Sequence, residues 1–305
     1  MKNYRILFMG TAPFAVPSLK KIVSSNNHLM GVYTSPAKKA NRGMKLSISP
    51  VAEFAEAENI EISSPPSISS SEELKKLQEM NLDMIIVVAY GLILPEEVIN
   101  LPKLGCFNVH ASLLPRWRGA APIQRAMIEG DQTTGVTIMK MDKGLDTGDI
   151  GLQKEIKIEQ QNYIELEKEL ANEGAELLIN FIDRLDGSIQ FTKQNDTQAC
   201  YAKKIQKQEA LIDWTENAEK INRRINAYNP SPCAWFSLNN KRIKILKAEV
   251  IHEKGEAGKI MNEEFLIGCG INSLRPLLLR VEGKQDCSIN DFLLGHKIEV
   301  GSYIQ

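Results

Sequence analysis

The sequence offers little to a metal ion or to a disulfide framework. It has five cysteines, and no two of them form a C-x-x-C pair, so neither a zinc site nor a set of disulfides is predicted. Free thiols are typical of a reducing compartment, and we therefore expect a cytoplasmic protein. The cysteines are Cys106, Cys200, Cys233, Cys269 and Cys287.

Long apolar runs are also missing. No stretch reaches the roughly 18 to 20 apolar residues of a membrane helix, so a membrane-spanning protein is not expected. Residues 1–10 (MKNYRILFMG) lack the apolar stretch and cleavage site of a secretory signal. Apolar residues make up 43% and charged residues 25% of the 305 residues, which is typical of a globular protein. This length favours two domains.

Glycine is scarce where a dinucleotide site would need it. The first predicted strand leads into Gly10-Thr11-Ala12-Pro13, with one glycine where the dinucleotide fingerprint has three. Without those glycines the backbone cannot approach a pyrophosphate closely. NAD is therefore not predicted, and a dehydrogenase is excluded.

Acidic residues are missing from the start of the chain. Residues 1–52 contain eight Lys or Arg and no Asp or Glu, and residues 201–247 carry a net charge of +6, although the whole chain has a net charge of −1. Two separate basic segments on a nearly neutral chain favour local contact with an anionic partner. Lysines scattered by chance over the surface are the alternative.

The first 190 residues alternate short apolar runs with amphipathic segments. Runs at 5–9, 29–33, 83–89, 105–110 and 135–141 are expected to be strands. Such alternation predicts an α/β domain in which helices cover both faces of a parallel sheet. A capping-box pattern, Asn162 followed by Glu165, predicts the start of a long helix.

After Gly187 the pattern changes. Residues 188–206 are polar without a period and are interpreted as an interdomain linker. Strand-like runs follow without intervening helices, and Asn239-Asn240 between two of them predicts a tight hairpin turn. The second part is therefore expected to be a small antiparallel β-barrel.

The most informative stretch is the strand that ends in Asn108-Val109-His110. Side chains alternate along a strand, so Asn108 and His110 share one face while Phe107 and Val109 share the other. In open α/β sheets ligands bind beyond the carboxyl ends of the strands. An amide that donates to an oxyanion, beside an imidazole that handles a proton, suits acyl transfer. The alternative is that His110 is a core residue whose hydrogen bonds are satisfied and which has no catalytic role.

An acidic loop follows the run at 135–141. Residues 142–149 read DKGLDTGD, with three aspartates and two glycines. An aspartate from this loop is a candidate to orient His110 or to stabilise its imidazolium. A solvated turn and a weak metal loop are the alternatives.

These stretches together resemble a known family. SLLPRWRGAAPIQ directly after Asn108-Val109-His110-Ala111, with GLDTGD at 144–149, is similar to the formyltransferases that use 10-formyltetrahydrofolate. ILFMGTAPF at 6–14, VVAYGLILP at 87–95, RGMKL at 42–46, IDW at 212–214 and AYNPSPCAWF at 227–236 resemble the methionyl-tRNA formyltransferase family. The resemblance covers nearly the whole chain in order.

The resemblance implies a fold and a reaction. It implies a Rossmann-like formyltransferase domain at 1–189, a linker at 190–206 and an OB-like tRNA-binding domain at 207–305. The formyl group of 10-formyltetrahydrofolate, a cosubstrate, would pass without a metal to the α-amine of initiator methionyl-tRNA. A monomer is implied as well.

The resemblance also implies residue roles. Asn108 would stabilise the oxyanion, His110 would do the same or take the proton, and Asp146 would orient His110. The folate pocket would be lined by Tyr90, Leu92, Ser112, Leu113, Leu114, Pro115 and Asp142. The acceptor arm of the tRNA would meet Lys38, Lys39, Arg42 and Lys45. The start of this last loop, SPAKKAN, departs from the family's acidic and proline-rich run, yet Lys38 and Lys39 keep the positive charge.

Other formyltransferases are the closest alternatives. An enzyme that acts on glycinamide ribonucleotide would lack residues 207–305, and one that acts on a sugar-nucleotide amine is not expected to carry RGMKL. A non-catalytic tRNA-binding protein would have no need to combine Asn108, His110 and Asp146.

Overall fold

The computed structural model describes residues 3–40, 45–185 and 187–304, with the backbone alone at 38–40 and 45. Contacts divide the chain into two compact units. The first unit comprises Met1–Pro122, Thr133–Lys157 and Glu167–Ala202. The second comprises Ile123–Gln132, Ile158–Leu166 and Lys203–Gln305.

Up to residue 202 strands and helices mostly alternate, as the sequence predicts, but strands follow one another without an α-helix at 28–47, 105–119 and 133–157. The strands are β1 (Arg5–Gly10), β2 (His28–Tyr33), β3 (Lys38–Ala40), β4 (Lys45–Ser47), β5 (Ile62–Ser63), β6 (Met84–Val88), β7 (Gly105–His110), β8 (Arg118–Gly119), β9 (Thr133–Lys140), β10 (Ile150–Lys157) and β11 (Tyr201–Ala202). The helices are α1 (Val16–Val23), α2 (Pro50–Ala57), α3 (Ser71–Glu79), α4 (Glu96–Ile99), α5 (Pro122–Glu129) and α6 (Tyr163–Asp183).

The main sheet of the first unit is mostly parallel. Its order is β10-β9-β7-β6-β1-β2-β5, and the ladders among β5, β2, β1, β6 and β7 are all parallel. This arrangement confirms the predicted α/β class. Gly10 of β1 pairs with Val88, and Val87 of β6 pairs with Asn108. The carboxyl ends of β1, β6 and β7 therefore meet at one edge of the sheet.

One strand direction differs from the sequence prediction. β9 runs antiparallel to β7, and β10 runs antiparallel to β9, whereas the sequence analysis places 135–141 in a parallel sheet. An apolar run does not encode direction, because a central strand buries both of its faces whichever way it runs. The carboxyl end of β9 consequently lies at the opposite edge from the carboxyl end of β7.

Strand β7 has one apolar and one polar face, as predicted. On the apolar face the ring of Phe107 meets that of Phe181 on α6 edge-on, with centroids 4.8 Å apart. A Cβ on Gly174 would lie 3.0 Å from Val109 Cγ1, so glycine at this position lets α6 pack closely. The face with Asn108 and His110 is thus the only one left for chemistry.

Residues 190–202 belong to the first unit, although their composition favours a linker. Thr192 forms a bridge with Ile150, and β11 pairs in parallel with β8. Gln194 is 6% exposed. Residues 190–202 of the predicted linker are therefore packed against the first unit, partly along β10 and partly along the segment that follows β7.

The second unit contains an antiparallel sheet, as predicted. Asn239 and Asn240 join its first two strands with φ of 51° and 59°, the left-handed geometry of a tight hairpin turn. The sheet order is β12-β13-β15-β14, with β16 on β15. Its elements are α7 (Ala218–Tyr228), β12 (Trp235–Leu238), β13 (Lys241–Ile251), β14 (Ile267–Gly268), β15 (Ser273–Val281), β16 (Asp286–Ser288) and α8 (Ile289–Gly295).

The described residues contain no candidate membrane helix and no candidate metal cluster. Among them, no helix has the length and apolar character needed to cross a bilayer. The same residues contain no group of three or more His, Cys, Asp or Glu side chains placed to bind one metal ion.

Candidate active site

Two polar side chains of β7, Asn108 and His110, meet a third from a loop more distant in the sequence, Asp146. Asn108 Nδ2 lies 3.4 Å from Asp146 Oδ1, and His110 Nδ1 lies 3.8 Å from Asp146 Oδ2. The His110 side chain is 7% exposed and that of Asp146 is 13% exposed. An amide, an imidazole and a carboxylate therefore share one partly enclosed site.

His110 is oriented by a backbone carbonyl. Its Nε2 lies 2.9 Å from the oxygen of Trp117. A carbonyl oxygen only accepts hydrogen bonds, so Nε2 carries a proton and donates it. In the neutral ring Nδ1 then has the free lone pair. The basic nitrogen consequently faces Asp146.

Asp146 reaches the site from a loop that folds back over the polar face of β7. Met141 N–H donates to the Cys106 oxygen at 2.8 Å, beside the start of β7, and Lys140 N–H donates to the Asp149 oxygen at 2.8 Å. The loop between them returns Asp146 to the centre of the strand. The loop begins at the carboxyl end of β9, as the sequence predicts, but β9 is antiparallel to β7, so this end lies at the edge of the sheet opposite the carboxyl end of β7.

The Asp146 carboxylate also accepts a backbone hydrogen bond. Gly119 N–H donates to Oδ2 at 2.8 Å. Gly119 has φ of +115°, and a Cβ there would lie 3.0 Å from the Ala202 oxygen. Asp146 itself has φ of 55°, which is uncommon for a residue with a Cβ and is frequent at functional sites. The positive φ of Gly119 and that of Asp146 therefore both help to place the carboxylate against the Gly119 N–H.

Gln194 completes the support of the loop. Its Nε2 donates to the backbone oxygens of Asp146 at 2.9 Å and Gly148 at 2.7 Å. Its Oε1 accepts from Arg118 Nε at 3.0 Å. Sequence reasoning misses Gln194, because it lies in a polar stretch without periodicity and no motif marks it.

Arg118 remains charged although its side chain is 2% exposed. Burial alone would lower its pKa, but hydrogen bonds to Asp196 and Tyr201 outweigh burial and raise the pKa. Arg118 Nη2 lies 2.8 Å from Asp196 Oδ1. The guanidinium thus presents a fixed donor to Gln194.

The predicted folate-pocket residues fall into two structural groups. Tyr90 and Leu92 follow β6 at the edge where β7 ends; Tyr90 is buried, and burial raises the pKa of its phenol to about 12, while Leu92 is 36% exposed. Leu114 is fixed to β9, since its N–H donates to Thr137 Oγ1 at 3.1 Å. Ser112 donates its hydroxyl to the Arg116 oxygen at 2.6 Å.

The other three members of the set are partly or fully exposed. Leu113 and Pro115 are partly exposed. Asp142 is exposed, and its Oδ1 accepts from Gly144 N–H at 2.9 Å and from the Thr147 hydroxyl at 2.6 Å. Asp142 therefore shapes the same loop that carries Asp146.

Of the predicted tRNA-contacting residues, Lys38, Lys39 and Lys45 lie on two paired strands, the β3–β4 hairpin. β3 and β4 are antiparallel, with Lys38 opposite Ser47, Lys39 opposite Leu46 and Ala40 opposite Lys45. Arg42 lies outside the described residues. The segment that lacks apolar periodicity in the sequence thus contains a β-ribbon.

Family comparisons cover both units. Residues 4–182 match a family described as formyl transferase. Residues 204–297 match a family described as formyl transferase, C-terminal domain.

Curated relatives extend over nearly the full length. The chain is 44% identical to the methionyl-tRNA formyltransferase of Coxiella burnetii strain RSA 331, with 96% of each chain covered. It is 43% identical to the methionyl-tRNA formyltransferase of Caldanaerobacter subterraneus subsp. tengcongensis, with 99% of this chain and 100% of the relative covered.

Solved structures share the fold at low sequence identity. An N-formyltransferase from Helicobacter canadensis, in complex with folinic acid and dTDP-3-aminofucose, has a TM-score of 0.67 at 22% identity, over 90% of this chain and 99% of that one. HypX from Aquifex aeolicus in complex with tetrahydrofolic acid has a TM-score of 0.67 at 16% identity, over 99% of this chain and 51% of that one.

Proposed function

Because the chain belongs to the methionyl-tRNA formyltransferase family, we propose that Asn108, His110 and Asp146 catalyse the transfer of a formyl group from 10-formyltetrahydrofolate to the α-amine of initiator methionyl-tRNA. One observation carries this assignment. The Asp146 carboxylate lies 3.4 Å from the Asn108 amide nitrogen and 3.8 Å from the free nitrogen of His110. The three groups are close enough to act on a single carbonyl.

Asn108 stabilises the charge that develops on the formyl oxygen. When the amine attacks the formyl carbon, a C–N bond forms and the carbonyl oxygen becomes an oxyanion. The Asn108 side chain is a neutral hydrogen-bond donor at the end of a rigid strand, so it is oriented before the reaction begins. Its 3.4 Å contact with Asp146 is long, which leaves the amide N–H free to form a shorter bond to the oxyanion.

His110 moves the proton. The α-amine has a pKa of about 7.7 to 8.0, so a large fraction is neutral near pH 7.5. After attack its nitrogen is cationic, and Nδ1 accepts a proton from it. His110 then returns the proton to the folate nitrogen as the original C–N bond breaks. Nε2 stays bonded to Trp117 throughout, because a carbonyl accepts from either the neutral or the charged ring.

Asp146 stabilises the charged form of His110. Once Nδ1 has accepted the proton, its N–H faces Oδ2 across 3.8 Å, so the carboxylate and the imidazolium attract each other. Gly119 N–H fixes that oxygen.

The edge of the sheet beside Asn108 suits a folate. The cosubstrate supplies the activated formyl group. Gly91 has open space where a Cβ would be, so a planar ring can approach the backbone of 90–92 closely. Ile93 and Leu145 are 92% and 60% exposed and offer apolar surface on the two segments that flank the site. Polar backbone groups beside apolar side chains match the donor-and-acceptor edge and flat face of a pterin.

The acceptor arm of the tRNA contacts the β3–β4 hairpin. Lys38, Lys39, Arg42 and Lys45 lie within eight residues of sequence, in a region of 52 residues without an acidic side chain. Phosphate contacts dominate the affinity of a protein for a nucleic acid. A small amine substrate would not need this concentration of positive charge.

The second unit adds another basic surface. The guanidinium of Arg242 on β13 lies 3.8 Å from the centroid of the Trp235 ring on β12. Lys241 and Lys244 occupy the same hairpin. Stacking on Trp235 fixes the Arg242 guanidinium while its N–H donors remain available to a phosphate. We therefore assign the basic segment 201–247 to further phosphate contacts.

A direct assay tests the function. Purified protein is incubated with 10-formyltetrahydrofolate and either charged initiator tRNA or a dTDP-linked amino sugar, and formylated product is measured. We expect kcat/KM for the tRNA to exceed that for the sugar by at least about 100-fold. The tRNA offers many phosphates to the basic surfaces of the protein, whereas the dTDP-linked sugar offers only two. The Asn108→Ala variant controls for a contaminating enzyme. Faster formylation of the sugar would overturn the assignment.

The role of the hairpin is tested by salt dependence. Each lost phosphate contact lowers the slope of log affinity against log salt concentration by about 0.7 to 0.9. We therefore expect Lys38→Ala with Lys39→Ala to reduce the slope for tRNA binding by about 1 to 2. Lys75→Ala, on the exposed surface of α3, serves as the matched control. An unchanged slope in the double variant would remove these lysines from the interface.

A further inference from the structure

The Gln194 amide uses its full donor capacity on the catalytic loop. A side-chain amide has two N–H donors, and both point to backbone oxygens of the loop, at Asp146 and Gly148. Its oxygen accepts from Arg118. The side chain is buried, so each of these bonds is shielded from competing water.

The loop depends on such support. Residues 142–149 contain Gly144 and Gly148, and Asp146 has the left-handed φ of 55°. A non-glycine residue in this region is held there only when its surroundings fix it. The Gln194 amide fixes the peptide planes that join residues 146 to 147 and 148 to 149.

Gln194 and the Arg118-Gly119 dipeptide act on Asp146 together. Gly119 N–H binds the carboxylate, and Arg118 Nε fixes the amide that binds the Asp146 carbonyl oxygen. Asp146 is therefore held at its side chain by Gly119 and at its backbone by Gln194. Gln194 is in turn hydrogen-bonded to Arg118, the neighbour of Gly119.

We propose that Gln194 is a positioning residue for formyl transfer, which orients the Asp146 carboxylate toward His110 and Asn108 through the backbone of the loop. This inference rests on the proposed catalytic role of Asp146. Gln194 itself touches neither substrate. Its removal displaces the carboxylate from Nδ1 while leaving the tRNA surface and the segment 90–92 in place.

Two substitutions remove the donors in different ways. Gln194→Glu keeps the size and the acceptor for Arg118 but has no N–H for the two carbonyls, and Gln194→Met has neither function. A misplacement of about 1 Å can cost on the order of 100-fold in rate, so we expect both variants to lose roughly 10- to 100-fold in kcat, with KM for the tRNA unchanged. Gln198→Glu makes the same chemical change at an exposed position and should leave kcat intact.

A double-mutant cycle separates positioning from general stability. If Gln194 acts through Asp146, Gln194→Glu should cause no further loss of kcat in an Asp146→Ala background. Hydrogen–deuterium exchange should rise in residues 142–149 and remain unchanged in β1, β6 and β7. An equal loss in both backgrounds would overturn the proposal, as would wild-type kcat in both Gln194 variants.

The cycle also distinguishes this proposal from the assigned mechanism. An Asp146→Ala variant with wild-type kcat would refute the catalytic role of Asp146 itself, whatever Gln194 does. A strongly impaired Asp146→Ala together with unaffected Gln194 variants would refute only the positioning role. Failure of both Gln194 variants to fold would count against it too, because positioning requires that the fold survive.

Discussion

Replacing Asn108 with alanine is expected to lower kcat by about 10²- to 10³-fold, with little change in KM for either substrate. Removal of one oxyanion donor typically raises the barrier by about 2.7 to 4 kcal/mol, and the interaction exists only in the transition state. Asn108 is the side-chain donor that β7 presents beside His110. Initial rates with varied tRNA and varied folate separate the two constants.

Asn108→Asp sharpens this experiment. Aspartate has nearly the same shape, but its carboxylate cannot donate a hydrogen bond and adds a second negative charge beside Asp146. We expect a loss at least as large as that of the alanine variant. Asn100→Ala, at an exposed position after α4, should keep wild-type kinetics. Near-wild-type kcat in Asn108→Ala would exclude the oxyanion role.

The polar face of β7 is predictable from the sequence because alternation along a strand is a local property. Asn108 and His110 share a face whatever the neighbouring strands do, and the structure places Phe107 against α6 on the other face. The start of α6 follows a local rule as well, since Asn162 N–H and Glu165 Oε2 are 2.9 Å apart in the predicted capping box.

The rest of the site depends on contacts between distant residues. Asp146 reaches His110 because β9 reverses direction, and no local pattern encodes that reversal. Trp117 orients His110 through a carbonyl oxygen, a group that every residue has. Gln194 lies 48 residues from the carbonyl oxygen of Asp146 that it binds. The sequence resemblance predicts the role of Asp146, whereas the contacts of Trp117 and Gln194 are visible only in the structure.

Replacing His110 should have an effect of similar or greater size. General acid–base catalysis contributes about 10²- to 10⁴-fold, and His110→Ala removes the group whose free nitrogen accepts the proton. We expect kcat/KM to fall within that range, measured with charged initiator tRNA at saturating folate. His252→Ala is the matched control, because its side chain is 81% exposed and lies in the second unit.

His110→Gln distinguishes proton transfer from orientation. The glutamine amide is able to donate to the Trp117 oxygen as Nε2 does, but it has no basic nitrogen to accept a proton from the amine. If proton transfer is the function of His110, the glutamine variant should lose as much activity as the alanine variant. If glutamine restored most of the rate, the essential contact would be the one with Trp117, and the proton would have to leave by another route.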